Sequence, residues 1–143
     1  MMRALSSKSR ALAIGGAALF FAGLLQGAAV GLFANARMAL SAHLTAVQSG
    51  LALMVAAAFW AHVQWSERLE RIARWTLAVG MAGLWLGITL AAMTGASEAL
   101  PIAGEGFSAR PATETAVTVI ILASSAGMVV GWGLFLIGLV RGR

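Results

Sequence analysis

The sequence contains no cysteine, no aspartate and no tyrosine. The first absence excludes disulfides, thiolate metal sites, iron–sulfur clusters and covalent C-x-x-C-H haem attachment. The second leaves no Ser-His-Asp triad. Charge of either sign is scarce: 10% of the 143 residues are charged against 60% hydrophobic, and mean hydropathy is +0.88. A water-soluble domain carries roughly a quarter charged residues. The chain therefore reads as an integral membrane protein.

The few charges are segregated. Residues 11–36, 38–66, 75–97 and 115–140 contain no Asp, Glu, Lys or Arg. Each run exceeds the roughly 20 residues needed to cross a hydrocarbon core. The expected architecture is an all-α, four-transmembrane-helix bundle forming a single membrane domain over residues 1–143, with spans at about 11–34, 39–63, 74–96 and 115–140. With no carboxylate inside the spans, proton-coupled transport and carboxylate-pair catalysis lose their usual chemistry.

The net charge of +5 reads as a topology signal, with no nucleic-acid partner implied. Arg3, Lys8 and Arg10 precede span 1, Arg68, Arg71 and Arg74 separate spans 2 and 3, and Arg141 and Arg143 follow span 4. Only Arg37 and Arg110 stand on the other side. This bias places both termini in the cytoplasm and the protein in an inner (cytoplasmic) membrane, in contact with lipid. The "ANA" at 34–36 has the look of a signal-peptide cleavage site. The apolar run before it is about twice the usual 7–15-residue core of such peptides, so span 1 is expected to be retained.

Glycines recur at four-residue spacing. Span 1 has Gly23, Gly27 and Gly31 with Gly15 in the same register, span 3 has Gly83, Gly87, Ala91 and Gly95, and span 4 has Gly127 and Gly131. Such stripes let backbones approach closely in lipid, and three striped spans favour a homo-oligomer. Spans 1 and 2 are joined by a tight turn around Asn35 to Ala39. "WSERLERIARW" reads as a cytoplasmic helical turn, with Ser66 as N-cap and Glu67 and Glu70 close to Arg71 and Arg74. Trp65 and Trp75 fit an aromatic belt. The third connection, Ala96 to Glu114, is long and holds both prolines, the character of a lid or binding loop.

Two histidines carry the remaining chemistry. His62 lies beside Trp60, Gln64 and Trp65 at the cytoplasmic boundary and reads as interfacial. His43 opens a long apolar run, and its helical face continues through Ala46, Val47, Gly50 and Met54. Two readings stay open for it: a hydrogen bond to a neighbouring helix's carbonyl, or ligation of a porphyrin iron beside that small surface. A haem held by both histidines of one chain is not expected, since they stand about 28 Å apart along one helix. A single-histidine haem with an open sixth position suits Lewis-acid chemistry.

"NARMALSAHL" at 35–44 resembles the N-x-R-M-x-L-S-A-H-L signature of hydroxylaminobenzene mutases. The similarity continues through "SER" at 66–68, "LW" and "LAA" in span 3, "GA" at 95–96, "PIA" at 101–103 and "WG" near the end of span 4. Those mutases are bacterial membrane enzymes that isomerise hydroxylaminobenzene to 2-aminophenol. They are similar to styrene oxide isomerase, a four-span trimer that holds haem b through one histidine near the start of span 2, its ferric iron acting as a Lewis acid on the epoxide oxygen. The resemblance implies a redox-neutral isomerase in a bacterial inner membrane, a homotrimer acting on a small apolar aromatic substrate. It implies His43 as the axial ligand of a noncovalent haem b, with Ala46, Val47 and Gly50 beside the ring. Arg37 is expected either to pair with a haem propionate or to snorkel to the interface.

The chain departs from its relatives where substrate would bind. Six residues after the histidine they carry an asparagine, and here Ser49 takes that place as the candidate catalytic side chain. Polar positions of span 3 are occupied by apolar residues such as Ala82 and Leu84. The alternative reading is accordingly a non-catalytic membrane scaffold, or a haem-binding protein that has lost the isomerase activity.

Overall fold

Helix boundaries follow capping residues more closely than the ends of the apolar runs. The computed structural model describes residues 6–142, with α1 at Ser7–Ala28, α2 at Ala36–Phe59, α3 at Glu67–Thr94 and α4 at Pro111–Arg141. All four are long and apolar enough to cross a membrane, and no strand occurs among the described residues. The all-α four-span architecture thus stands. Single 3₁₀ turns follow α1 at Val30–Leu32 and α2 at Trp60–His62.

Several local expectations change. The tight turn placed at 35–39 is already the first turn of α2, because the Asn35 side chain accepts from the Met38 N–H at 3.0 Å and caps the helix. "WSERLERIARW" runs unbroken into α3, with Ser66 in the N-cap position but making no side-chain capping bond. Glu70 feels the charge of Arg74 on its own helix, as expected, but its hydrogen bonds go elsewhere: it accepts from Lys8 Nζ at 2.7 Å and from Trp60 Nε1 at 2.9 Å. α3 ends on Gly95 in the left-handed conformation, φ 79°, and α4 starts on Pro111, whose missing N–H costs nothing at that position.

The helices form two hairpins, α1 with α2 and α3 with α4, joined through α2 and α3. The end that carries Lys8 and Glu70 also holds the start of the 62–66 connection. There Trp65 Nε1 donates to the Leu134 carbonyl at 2.8 Å, and the Arg141 guanidinium sits 4.3 Å above the Trp65 ring. The described parts of both termini therefore lie at one end. Arg3 and Arg143, which contribute to the orientation argument, lie outside the described residues.

The glycine stripes work inside the chain. Gly16 meets Gly50, Gly23 meets Ala46 and Val47, and Gly80 and Gly87 meet α4. It is Gly16, not Gly15, that shares a face with Gly23. Seven residues return to within about 20° on an α-helix, while eight overshoot by about 80°. Most stripe positions are occupied by α1–α2 and α3–α4 packing, while Gly15 and Gly31 face open space.

At the opposite end the connection between α3 and α4 is irregular yet anchored. The Glu114 carboxylate, 4% exposed, accepts from the backbone N–H groups of Ser97, Glu98 and Ala109 at 2.9–3.1 Å. Asn35 donates through Nδ2 to the Ala103 carbonyl at 2.9 Å, and its backbone N–H reaches the Ala92 carbonyl at 3.0 Å. The segment is a fastened cap more than a loose lid.

Candidate functional site

His43 stands in the second turn of α2, held there by the Asn35 cap. Its half-buried ring lies over Gly27 of α1, where a Cβ would come within 2.6 Å of Nδ1 and 2.7 Å of Cε1. Only a glycine leaves room for the imidazole at that point. Nδ1 is 2.7 Å from the Gly23 carbonyl oxygen. A carbonyl only accepts, so Nδ1 carries the proton and donates it, which leaves Nε2 with its lone pair. Among the described residues Nε2 has no hydrogen-bond partner.

The two readings of His43 are therefore compatible. The carbonyl partner exists, and it fixes the tautomer that a metal requires. Iron-ligating histidines are oriented by this kind of bond from the far nitrogen. No group of three or more His, Cys, Asp or Glu side chains that could hold a metal ion occurs among the described residues. His62 lies exposed beyond the other end of α2, so the two histidines are not brought together.

The other expected contacts are placed differently. Ala46 is 0% exposed, Gly50 is buried and Val47 touches Gly23. This face supports the ring's helix against α1 and offers no open cradle, because the glycines of α1 fill the space that small side chains seemed to leave. Arg37 is engaged by the cap: it donates to the Glu105 carbonyl and lies 3.9 Å from the Glu105 carboxylate.

Ser49 faces away from His43. It lines a groove of about 260 Å³ between α2, α3 and α4 with Thr45, Gln48, Met81, Leu84 and Trp132. Leu84 lines the same groove as Ser49, while Ala82 does not. Gln48 is exposed within an apolar span and makes no side-chain hydrogen bond among the described residues. An unpaired amide at membrane depth is costly.

A buried polar network went unread in the sequence. Trp85 Nε1 donates to Gln26 Oε1 at 2.6 Å, and Gln26 Nε2 donates to Thr89 Oγ1 at 3.1 Å. It sits one residue from Gly27 and ties α1 to α3. A lone glutamine in an apolar span and a mid-span tryptophan each need a partner, and that need was the available signal. Such bonds average about 0.6 kcal/mol in double-mutant cycles within membranes. A cycle of Gln26→Leu and Trp85→Phe, read by reversible unfolding in mixed micelles, should give a coupling of that order.

Comparison with known proteins places these features. The profile of the family described as styrene oxide isomerase matches residues 8–140. The chain is 32% identical over 127 residues to hydroxylaminobenzene mutase HabA of Ectopseudomonas oleovorans, covering 88% of this chain and 94% of that protein. It is also 32% identical over 125 residues to hydroxylaminobenzene mutase HabB of the same organism, covering 87% and 76%. No solved structure gives a significant match. A four-span apolar bundle with these relatives is a membrane isomerase, and the chain belongs to the styrene oxide isomerase family.

Proposed function

We propose that this protein is a redox-neutral intramembrane isomerase of a small aryl hydroxylamine or epoxide, with noncovalent haem b held by His43. The observation that supports the reading is the Nδ1–H bond to the Gly23 carbonyl over the Gly27 gap, which leaves the Nε2 lone pair as the ring's donor. When bound there, the ferric haem supplies a Lewis acid for the substrate oxygen. In the hydroxylamine reaction the N–O bond breaks, a C–O bond forms on the ring and a ring proton is relocated to nitrogen, so no electrons enter or leave.

The protein's own part is binding and orientation. Met81, Met128 and Trp132 offer the groove's apolar surface to an aromatic ring, while Thr45, Gln48 and Ser49 offer hydrogen bonds to its polar head. Ser49 and His43 occupy different faces of α2. In the homotrimer we favour, Ser49 therefore serves a neighbouring copy's histidine. The bilayer setting suits substrates that partition into lipid, and the arginine bias supports a bacterial inner membrane with both termini cytoplasmic.

The purified protein should show a Soret band that His43→Ala removes. It should also convert aryl hydroxylamines or epoxides to isomers without added reductant. Protein that stays free of haem even after haem supplementation would overturn the proposal. Haem retained by wild type and variant alike would move the ligand elsewhere.

A further inference from the structure

Arg74 carries a buried N–H for which the bundle supplies no hydrogen-bond partner among the described residues. It lies in the second turn of α3, and its Nε is buried without a hydrogen bond among the described residues. Glu70, one turn earlier, feels the Arg74 charge but gives its hydrogen bonds to Lys8 at 2.7 Å and Trp60 at 2.9 Å. No carboxylate comes within 4.0 Å of Arg74 among the described residues. A buried donor on a charged group costs more when left unpaired than a neutral one. Something outside the chain is needed to satisfy it.

The surroundings say what that partner is. Arg74 borders a groove of about 150 Å³ between α1 and α3, whose lining includes Ala11, Leu12, Gly15, Trp75 and Ala78. A Cβ at Gly15 would meet nothing within 4 Å, so the floor is open. Trp75, 63% exposed, stands beside it. The groove is apolar along its length, cationic at one place and flanked by an amphipathic ring of the kind found at headgroup depth. Lys8, Arg10 and Arg71 add positive charge at the same end of the bundle.

We propose that the α1–α3 groove binds an anionic glycerophospholipid, its phosphate on Arg74 and an acyl chain laid along Gly15. A phosphate oxygen answers the buried N–H and the guanidinium charge together. The chain's methylenes fill the apolar trough. The excess of basic residues selects a net negative headgroup over a zwitterionic one. The proposal rests on Arg74 and the groove alone and does not depend on haem or on catalysis.

The test is native mass spectrometry of the full-length protein after equilibration with mixed micelles containing equal amounts of dioleoylphosphatidylglycerol and dioleoylphosphatidylcholine. Wild type should retain phosphatidylglycerol preferentially, and Arg74→Gln should weaken that retention about fivefold. Gly15→Leu, which enters open space and leaves the helix packing alone, should lose bound lipid while helical content and melting temperature stay unchanged. Equal retention by all three proteins would overturn the site. Equal retention of the two lipids by wild type would reduce it to hydrocarbon filling. A changed oligomeric mass in Gly15→Leu would assign the groove to a second copy of the chain.

Discussion

Gly27→Val should abolish haem retention as completely as His43→Ala while leaving the four helices formed. A Cβ at Gly27 would press to 2.6 Å from Nδ1 and 2.7 Å from Cε1 of His43. The ring cannot yield by a small shift of α2, because Ala42 and Ala46 beside it are both 0% exposed. It must rotate out, and the bond to the Gly23 carbonyl goes with it. Overpacking of this kind costs about 1–3 kcal/mol, and the lost hydrogen bond adds about 1 kcal/mol. A readout that does not involve haem is the imidazole nitrogen NMR spectrum, which should report an Nδ1–H tautomer in wild type and lose that signature in the variant. Gly31→Val is the matched control, since a Cβ there meets nothing within 4 Å. A Gly27→Val protein with the wild-type Soret band and haem content would show that the ring does not lie over α1.

Glu114→Ala should release the cap between α3 and α4. Its carboxylate is the shared acceptor for the backbone N–H groups of Ser97, Glu98 and Ala109. Hydrogen bonds to charged groups contribute about 1.5–3 kcal/mol each, and water recovers part of that once the segment opens, so a net loss of about 3 kcal/mol is expected. Limited proteolysis within 97–110 should accelerate roughly a hundredfold, because cleavage follows the open population. An unchanged cleavage rate in Glu114→Ala would contradict the assignment.

Much of this was legible in the sequence, for identifiable reasons. Charge-free runs longer than a bilayer is thick permit almost nothing but spanning helices, so the four-span architecture follows from residues 11–36, 38–66, 75–97 and 115–140. His43 stood out because an ionisable ring at the head of such a run must be satisfied by something. What stayed hidden depends on which side chains face each other. The surface through Ala46 and Gly50 looked vacant because small residues are compatible both with a ligand and with another helix, and only the glycines of α1 decide between them. Glu70 had nearby arginines on its own helix, yet Lys8 and Trp60, distant in sequence, approach it more closely. Gln26 and Trp85 are 59 residues apart, beyond any local pattern.

The hairpin arrangement bears on the order in which this protein is made. α1 and α2 leave the ribosome first, and the residues that meet Gly16, Gly23 and Gly27 all belong to these two helices. Both groups that set the imidazole's proton, the Gly23 carbonyl and the gap at Gly27, belong to that first hairpin. The links to the second hairpin, Lys8 with Glu70, Gln26 with Trp85 and Asn35 with Ala92, can close only after α3 has been inserted. The contacts that orient His43 are thus encoded in the first half of the chain, whereas the groove beside Ser49 takes walls from α3 and α4.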